Sequence, residues 1–242
     1  MIVIAHRGAN KEAYENSWSA FEKAIEAGAD RLELDVQITK DHEAIICHDP
    51  DLKRMGVADR SISELTRKEC EALKLPNGEP MPFLDQVIER LLPQVELNIE
   101  IKPDTALAAQ IVARALEGSP HAGKVIISSF QPTPLIYLGR HHPELTLACL
   151  WGSFQNRHPL AFLMPFYFMK RCHARILHPE TRLVSKALVS FCHARGWKVF
   201  PYVTMKGEDD NKVALWQKMK AAGVDGLCSN YPREFKKWLQ QS

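Results

Sequence analysis

The stretch Arg31-Leu-Glu-Leu-Asp-Val-Gln-Ile38 alternates in character with the period of a β-strand. Leu32, Leu34 and Val36 fall on one face, and Glu33 and Asp35 on the other. A second run, Glu96-Leu-Asn-Ile-Glu-Ile-Lys102, repeats the pattern with Ile99 and Ile101 on one side and Glu100 and Lys102 on the other. The apolar faces need a layer of helices to cover them. Acidic groups pointing inward at the C-terminal ends of strands are what a site in the mouth of a parallel barrel needs.

Outward from these two runs, β-rich segments alternate with helical patterns along the whole chain. Strands are expected at 2–5, 31–38, 96–102, 125–129, 146–150, 174–177, 198–203 and 225–229. Helices are expected at 17–27, 83–92, 105–117, 132–141, 160–171, 181–195, 209–222 and 232–240. In the first helix Trp18, Phe21 and Ile25 recur at helical spacing, Asn16 offers a cap and Gly28 a C-terminal stop. The helix at 181–195 puts Leu183, Leu188 and Phe191 inside and Gly196 after its end. Eight strand–helix units in 242 residues predict an α/β (β/α)8 or TIM barrel. An open doubly wound sheet would usually carry a glycine-rich phosphate loop after its first strand, and none is present.

After Ile38 a turn, Lys40-Asp-His-Glu43, leads into Ala44-Ile-Ile-Cys-His48, too short a connection for a parallel crossover. The two runs are therefore expected to form an antiparallel hairpin. Pairing Ile38 with Ile45 would set His48 opposite Asp35. Residues 49–82 are polar and turn-rich, with one helical pattern at 63–73, and read as an insertion after the second strand in a single domain spanning 1–242.

The bulk numbers bound the class. The chain is 45% hydrophobic and 25% charged with a formal net charge of +2, which gives no electrostatic footprint for nucleic acid. Six scattered cysteines contain no Cys-x-x-Cys pair, so reduced core thiols in a cytoplasmic protein are expected. The start, Met-Ile-Val-Ile-Ala-His-Arg-Gly, lacks the marks of a signal peptide. The longest apolar run, 159–169, is too short to span a bilayer. Its default reading is a buried helix started or kinked by Pro165. A sharper alternative, for 160–169, is a hydrophobic lid touching membranes or lysophospholipids.

Three carboxylates converging at a barrel mouth repel one another unless a cation balances them. Oxygen-only donors imply a hard divalent ion, Mg2+ or Ca2+. The bland alternative for Glu33 and Asp35 is a pair of ion-paired strand ends. His6 ends the first strand and His48 ends the hairpin. Beside a carboxylate cluster, two imidazoles can exchange protons near neutral pH. Arg7 has donors suited to a phosphodiester, or else forms a salt bridge with Asp49 or Glu15.

Taken in order, His6-Arg7-Gly8, Glu15-Asn16-Ser17, Glu33-Leu34-Asp35, His48-Asp49 and Glu100-Ile101-Lys102 resemble the glycerophosphodiester phosphodiesterase family. The likeness continues through Ser128-Ser129-Phe130 and Gly223-Val224-Asp225-Gly226, so it covers essentially the whole chain. It implies metal-dependent hydrolysis of a small-molecule glycerophosphodiester to sn-glycerol 3-phosphate and an alcohol. It also implies a divalent ion on Glu33, Asp35 and Glu100. His6 and His48 would be the acid/base pair, Arg7 and Lys102 phosphate ligands, and Glu15 a support for the site. The attacking group could be the glycerol 2-hydroxyl or a metal-activated water. A lysophospholipase D preferring long-chain substrates is the nearest alternative; a phosphate-binding module without catalysis and an unrelated barrel aldolase are further ones.

The chain departs from the family pattern at Tyr14, where a proline is usual, and at Ser17, where threonine is. The loop 52–57 is abbreviated, and the last motif reads Ser229-Asn230 instead of Thr-Asp. Tyr202, near the end of the seventh strand, is an aromatic for one wall of the glycerol pocket or a packed rim residue. Cys172-His173 and Cys192-His193 read as packing residues, since their spacing suits no zinc finger. His178, after the sixth strand, is a candidate substrate contact.

Overall fold

The apolar faces of the strands select the architecture. Leu32, Leu34, Val36, Leu97, Ile99 and Ile101 are fully buried in one cluster with Trp18, Phe21, Val87 and Val112 from the covering helices. In the computed structural model, which describes residues 1–152, 164–205, 207–209 and 211–242, the strands are β1 (Ile2–Ala5), β2 (Arg31–Ile38), β3 (Ala44–Ile46), β4 (Glu96–Ile101), β5 (Val125–Ser129), β6 (Thr146–Trp151), β7 (Ile176–Pro179), β8 (Lys198–Val199) and β9 (Gly226–Ser229). The helices are α1 (Trp18–Glu26), α2 (Arg67–Glu71), α3 (Leu84–Leu91), α4 (Ala106–Leu116), α5 (Pro132–His141), α6 (Pro165–Arg171), α7 (Lys186–His193), α8 (Lys212–Ala222) and α9 (Pro232–Gln241).

Eight parallel strands run in the order β8-β7-β6-β5-β4-β2-β1-β9, with β3 paired antiparallel to β2. The ends of this order meet where Cys228 N donates to Pro201 O at 2.8 Å and Val203 N to Cys228 O at 3.2 Å. Pro201 lacks the N–H that would face β9, which is why β8 is short and the barrel is only nearly closed. The inner face carries Ile4, Ile126, Ala148, Leu150, Ile176 and Phe200. The 49–82 stretch has its own small core of Leu52, Met55, Ile62, Leu65, Cys70, Leu75 and Met81, joined by Ile45, Cys47 and Phe83.

Three local expectations are corrected. Ser17, not Asn16, caps α1, its hydroxyl accepting from Ala20 N at 3.2 Å. The hairpin pairs Gln37 with Ile45 and Ile38 with Ala44, one residue from the expected register, so Cys47 and not His48 lies opposite Asp35. The cause is a tighter loop: Thr39 N bonds Glu43 O at 2.9 Å across Lys40-Asp41-His42, with His42 at φ 66. In α7 the buried residues are Val189 and Cys192, while Leu188 and Phe191 are half-buried. His193 beside Cys192 pairs with Asp225 at 2.9 Å.

Of the apolar run at 159–169, residues 159–163 lie outside the described residues. Pro165 starts α6, where its missing N–H costs nothing. Phe166 packs on Phe191 with ring centroids 4.7 Å apart and on Trp197 at 6.1 Å. Pro165 and Met169 are buried as well, whereas Met164 and Tyr167 are exposed.

Candidate active site

The turn after β1 builds one edge of the mouth. Arg7 and Gly8 both take left-handed backbone angles, φ 56 and φ 77. A Cβ at Gly8 would sit 2.6 Å from the Ala20 backbone, so only glycine lets the turn lie against α1. The turn aims Arg7 N at Glu33 Oε2, 2.9 Å away, and the Arg7 guanidinium at Glu15 (2.9 Å) and Asp35 (3.1 Å). The Arg7–Glu15 pairing agrees with one of the two salt bridges expected; Asp49 is instead held by His48 and Arg54.

Glu33, Asp35 and Glu100 are all buried, and each offers an oxygen within 4.8 Å of the others. Their placement follows from period and register, since Asp35 pairs with Glu100 across β2 and β4. Lys102 Nζ reaches Glu100 at 2.6 Å and Asp35 at 3.3 Å. Asn16, at φ 55, donates from Nδ2 to Asp35 Oδ2 at 2.9 Å. Burial would raise Asp35, but Lys102 and Arg7 outweigh it and hold this carboxyl below the ordinary range. Glu33 goes the other way: burial, then repulsion from Asp35 and Glu100, push it well above. A cluster that cannot ionise fully by itself, made only of carboxylate oxygens, fits a hard divalent cation.

The two histidines are held differently. His6 Nδ1 lies 2.8 Å from Asn230 Oδ1. The Asn230 amide nitrogen donates to Thr204 O at 3.0 Å, which fixes the oxygen toward His6. His6 therefore carries its proton on Nδ1 and leaves Nε2 as an acceptor. Burial and then Arg7 lower its pKa to about 3. Asn230 N is bound by the buried Glu208, which also accepts from Ser229 and Trp216. His48 Nδ1 meets the Asp49 carboxylate at 2.5 Å, and Arg54 bridges Asp49 to Glu15.

A cavity of about 270 Å3 is lined by His6, Arg7, Glu33, His48, Glu100, Lys102, Tyr202, Phe130 and His178, among others. Tyr202 packs edge-on to Phe130 with centroids 5.6 Å apart. A groove of about 690 Å3, between the hairpin and the loop after β4, shares His48, Asp49, Glu100, Lys102 and Phe130 with the cavity. The structure thus brings every candidate site residue to one end of the barrel. Sequence reasoning missed Arg54, which sits in a turn-rich loop without periodicity, and Asn98. Asn98 was readable, because it shares the inward face of its strand with Glu100.

The model of the glycerophosphoryl diester phosphodiesterase family matches residues 6–234. The chain belongs to this family. A glycerophosphodiester phosphodiesterase of Caldanaerobacter subterraneus is 32% identical, the match covering 96% of this chain and 94% of that protein. A lysophospholipase D of Rattus norvegicus is 25% identical over 98% of this chain and 85% of its own length. A phosphodiesterase from Oleispira antarctica, solved in complex with the product sn-glycerol-3-phosphate, has a TM-score of 0.84 with 23% identity, covering 99% of this chain and 97% of that one. That structural likeness supports the nearly closed barrel. Among the described residues no helix is long and apolar enough to cross a membrane.

Proposed function

We propose that the chain, acting as a single unit over 1–242 with an insertion at 49–82, hydrolyses glycerophosphodiesters to sn-glycerol 3-phosphate and an alcohol. The observation that carries this is one cavity onto which two differently held histidines, a carboxylate cluster and the cations Arg7, Arg54 and Lys102 all converge. Glu33, Asp35 and Glu100 would hold a divalent ion, Mg2+ or Ca2+, which when bound supplies charge stabilisation and orientation to the phosphodiester. Lys102 and Arg7, which line the same cavity, would neutralise the phosphate oxygens. Glu15 keeps Arg7 in place, and burial of Glu15 is outweighed by Arg7 and Arg54, so it stays ionised.

His6, deprotonated at Nε2, accepts the proton of the attacking hydroxyl, whether from the glycerol 2-position or from water. Its low proton affinity keeps it in the accepting form until the negative phosphate arrives and raises it. His48, its ring oriented by Asp49 at Nδ1, is placed to serve as the acid toward the leaving alcohol. Tyr202 and Phe130 wall the glycerol. The groove beside His48 gives the alcohol room to extend, which favours a second reading, lysophospholipase D activity on long-chain substrates. The six cysteines are all free and buried, in keeping with a reducing, cytoplasmic setting.

The test is glycerol 3-phosphate release from glycerophosphocholine, glycerophosphoethanolamine and glycerophosphoglycerol, against cleavage of lysophosphatidylcholine. Release from the soluble diesters that disappears in His6→Ala supports the first reading. Cleavage of the lysolipid alone replaces it with the second.

A further inference from the structure

His178 is 1% exposed and lines the cavity that holds His6 and Glu33, and among the described residues neither ring nitrogen has a hydrogen-bond partner of good geometry, the Phe200 backbone giving only a weak contact. A buried imidazole so poorly satisfied is costly, and such groups in native structures usually meet a ligand or an ordered water. Burial and the neighbouring His6 lower its pKa to about 3, so it presents one donor and one acceptor and no charge. Phe200 and Tyr202 fix the ring edge-on, with centroids at 6.5 and 6.2 Å.

Its position in the barrel gives the direction. Counting around the strand order, β7 stands four places from β2 and so lies across the ring of eight from Glu33 and Asp35. A glycerol phosphate held at its phosphate end by the β2–β4 side points its far end toward β7. We infer that His178 is a specificity residue that hydrogen-bonds the terminal hydroxyl of the glycerol moiety. It selects diesters bearing a free polyol end over simple alkyl phosphodiesters. This rests on the glycerophosphodiester reading of the cavity. A neutral imidazole suits the task because a hydroxyl both donates and accepts, whereas a charged group there would compete with the cations for the phosphate.

The experiment compares glycerophosphocholine with its analogue lacking the terminal hydroxyl, the 2-hydroxypropyl ester of phosphocholine, in wild type, His178→Leu and His178→Gln. Binding of the two corresponding phosphate monoester products is measured in parallel. The expected result is a loss of about ten- to a hundredfold in kcat/KM on glycerophosphocholine in His178→Leu. The deoxy analogue, already slow in wild type, changes by less than about threefold, and His178→Gln recovers part of the difference. Equal losses on both substrates would make His178 a packing residue and overturn the assignment. No loss on either would mean that water alone satisfies the ring, with the same consequence. If wild type turns over neither diester, the substrate reading fails. The product-binding arm still decides His178, through a preference for glycerol 3-phosphate over the deoxy product that the leucine variant loses or keeps.

Discussion

The two sides of the barrel mouth are organised by different forces. On the β2–β4 side, Glu33, Asp35, Glu100, Lys102 and Arg7 form a buried network in which charge faces charge at 2.6–3.3 Å. On the β6–β9 side, Leu150, Tyr202 and Cys228 surround an uncharged imidazole. The first side is fixed by electrostatics and suits an ion and a phosphate. The second is fixed by packing and suits the neutral, hydroxylated part of a substrate. Removing one member of a buried charge network leaves its partners uncompensated, whereas trimming a packed wall alters shape and selectivity.

The largest effect is expected where the comparison is sharpest. Asp35→Asn removes the charge shared by Lys102 and Arg7, and turnover should fall by about three orders of magnitude or more, checked by glycerol 3-phosphate release with folding followed by circular dichroism. A drop of less than tenfold would deny the charged side its role. His6→Ala and His48→Ala should each lose about a hundred- to ten-thousandfold.

A smaller effect tests the way His6 is held. Asn230→Asp puts a carboxylate on Nδ1, so the proton affinity of His6 rises. The acid limb of the kcat/KM profile should then move to higher pH. A limb that stays where it was would remove His6 from the role of base.

The packed side can be probed through stability. His6 and His178 have folded pKa values of about 3 against 6.5 in the unfolded chain, so unfolding between these values takes up a proton at each. Their contribution to stability is complete above pH 6.5 and lost progressively as pH falls toward 3. Glu33, raised in the fold, acts in the opposite direction. The difference between wild type and His178→Asn isolates one histidine: the variant should lose stability less steeply on acidification, by about 1.4 kcal/mol per pH unit. Urea unfolding midpoints across pH 4–6 measure it, and parallel curves would contradict the neutral buried imidazole. The smallest effect is expected for Arg54→Ala. Arg54 is half-exposed and its ion pairs are screened, so activity should fall only about three- to tenfold, and less at high salt.

Much of this was legible before any coordinates. Period-two alternation fixes the face of every residue on a strand, so Glu33, Asp35 and Glu100 could be grouped from spacing alone. The hairpin register could not, because it depends on His42 taking a left-handed conformation that glycine or asparagine would have signalled and histidine does not. Asn16 looked like a helix cap because asparagine caps helices well. Its left-handed backbone turns the side chain onto Asp35, a tertiary demand that local propensity does not contain. Asn230 shows the same limit. The departure from aspartate was visible in the sequence, but its consequence, a neutral acceptor for His6, needed the fold to bring together residues 224 positions apart.

The most direct test of the central claim is to strip the protein with EDTA and titrate Mg2+ or Ca2+ back while following glycerol 3-phosphate release from glycerophosphocholine. Turnover should vanish on stripping and return to a plateau at about one ion per chain, as a single three-carboxylate site requires. Undiminished turnover by the stripped, folded protein would contradict the account.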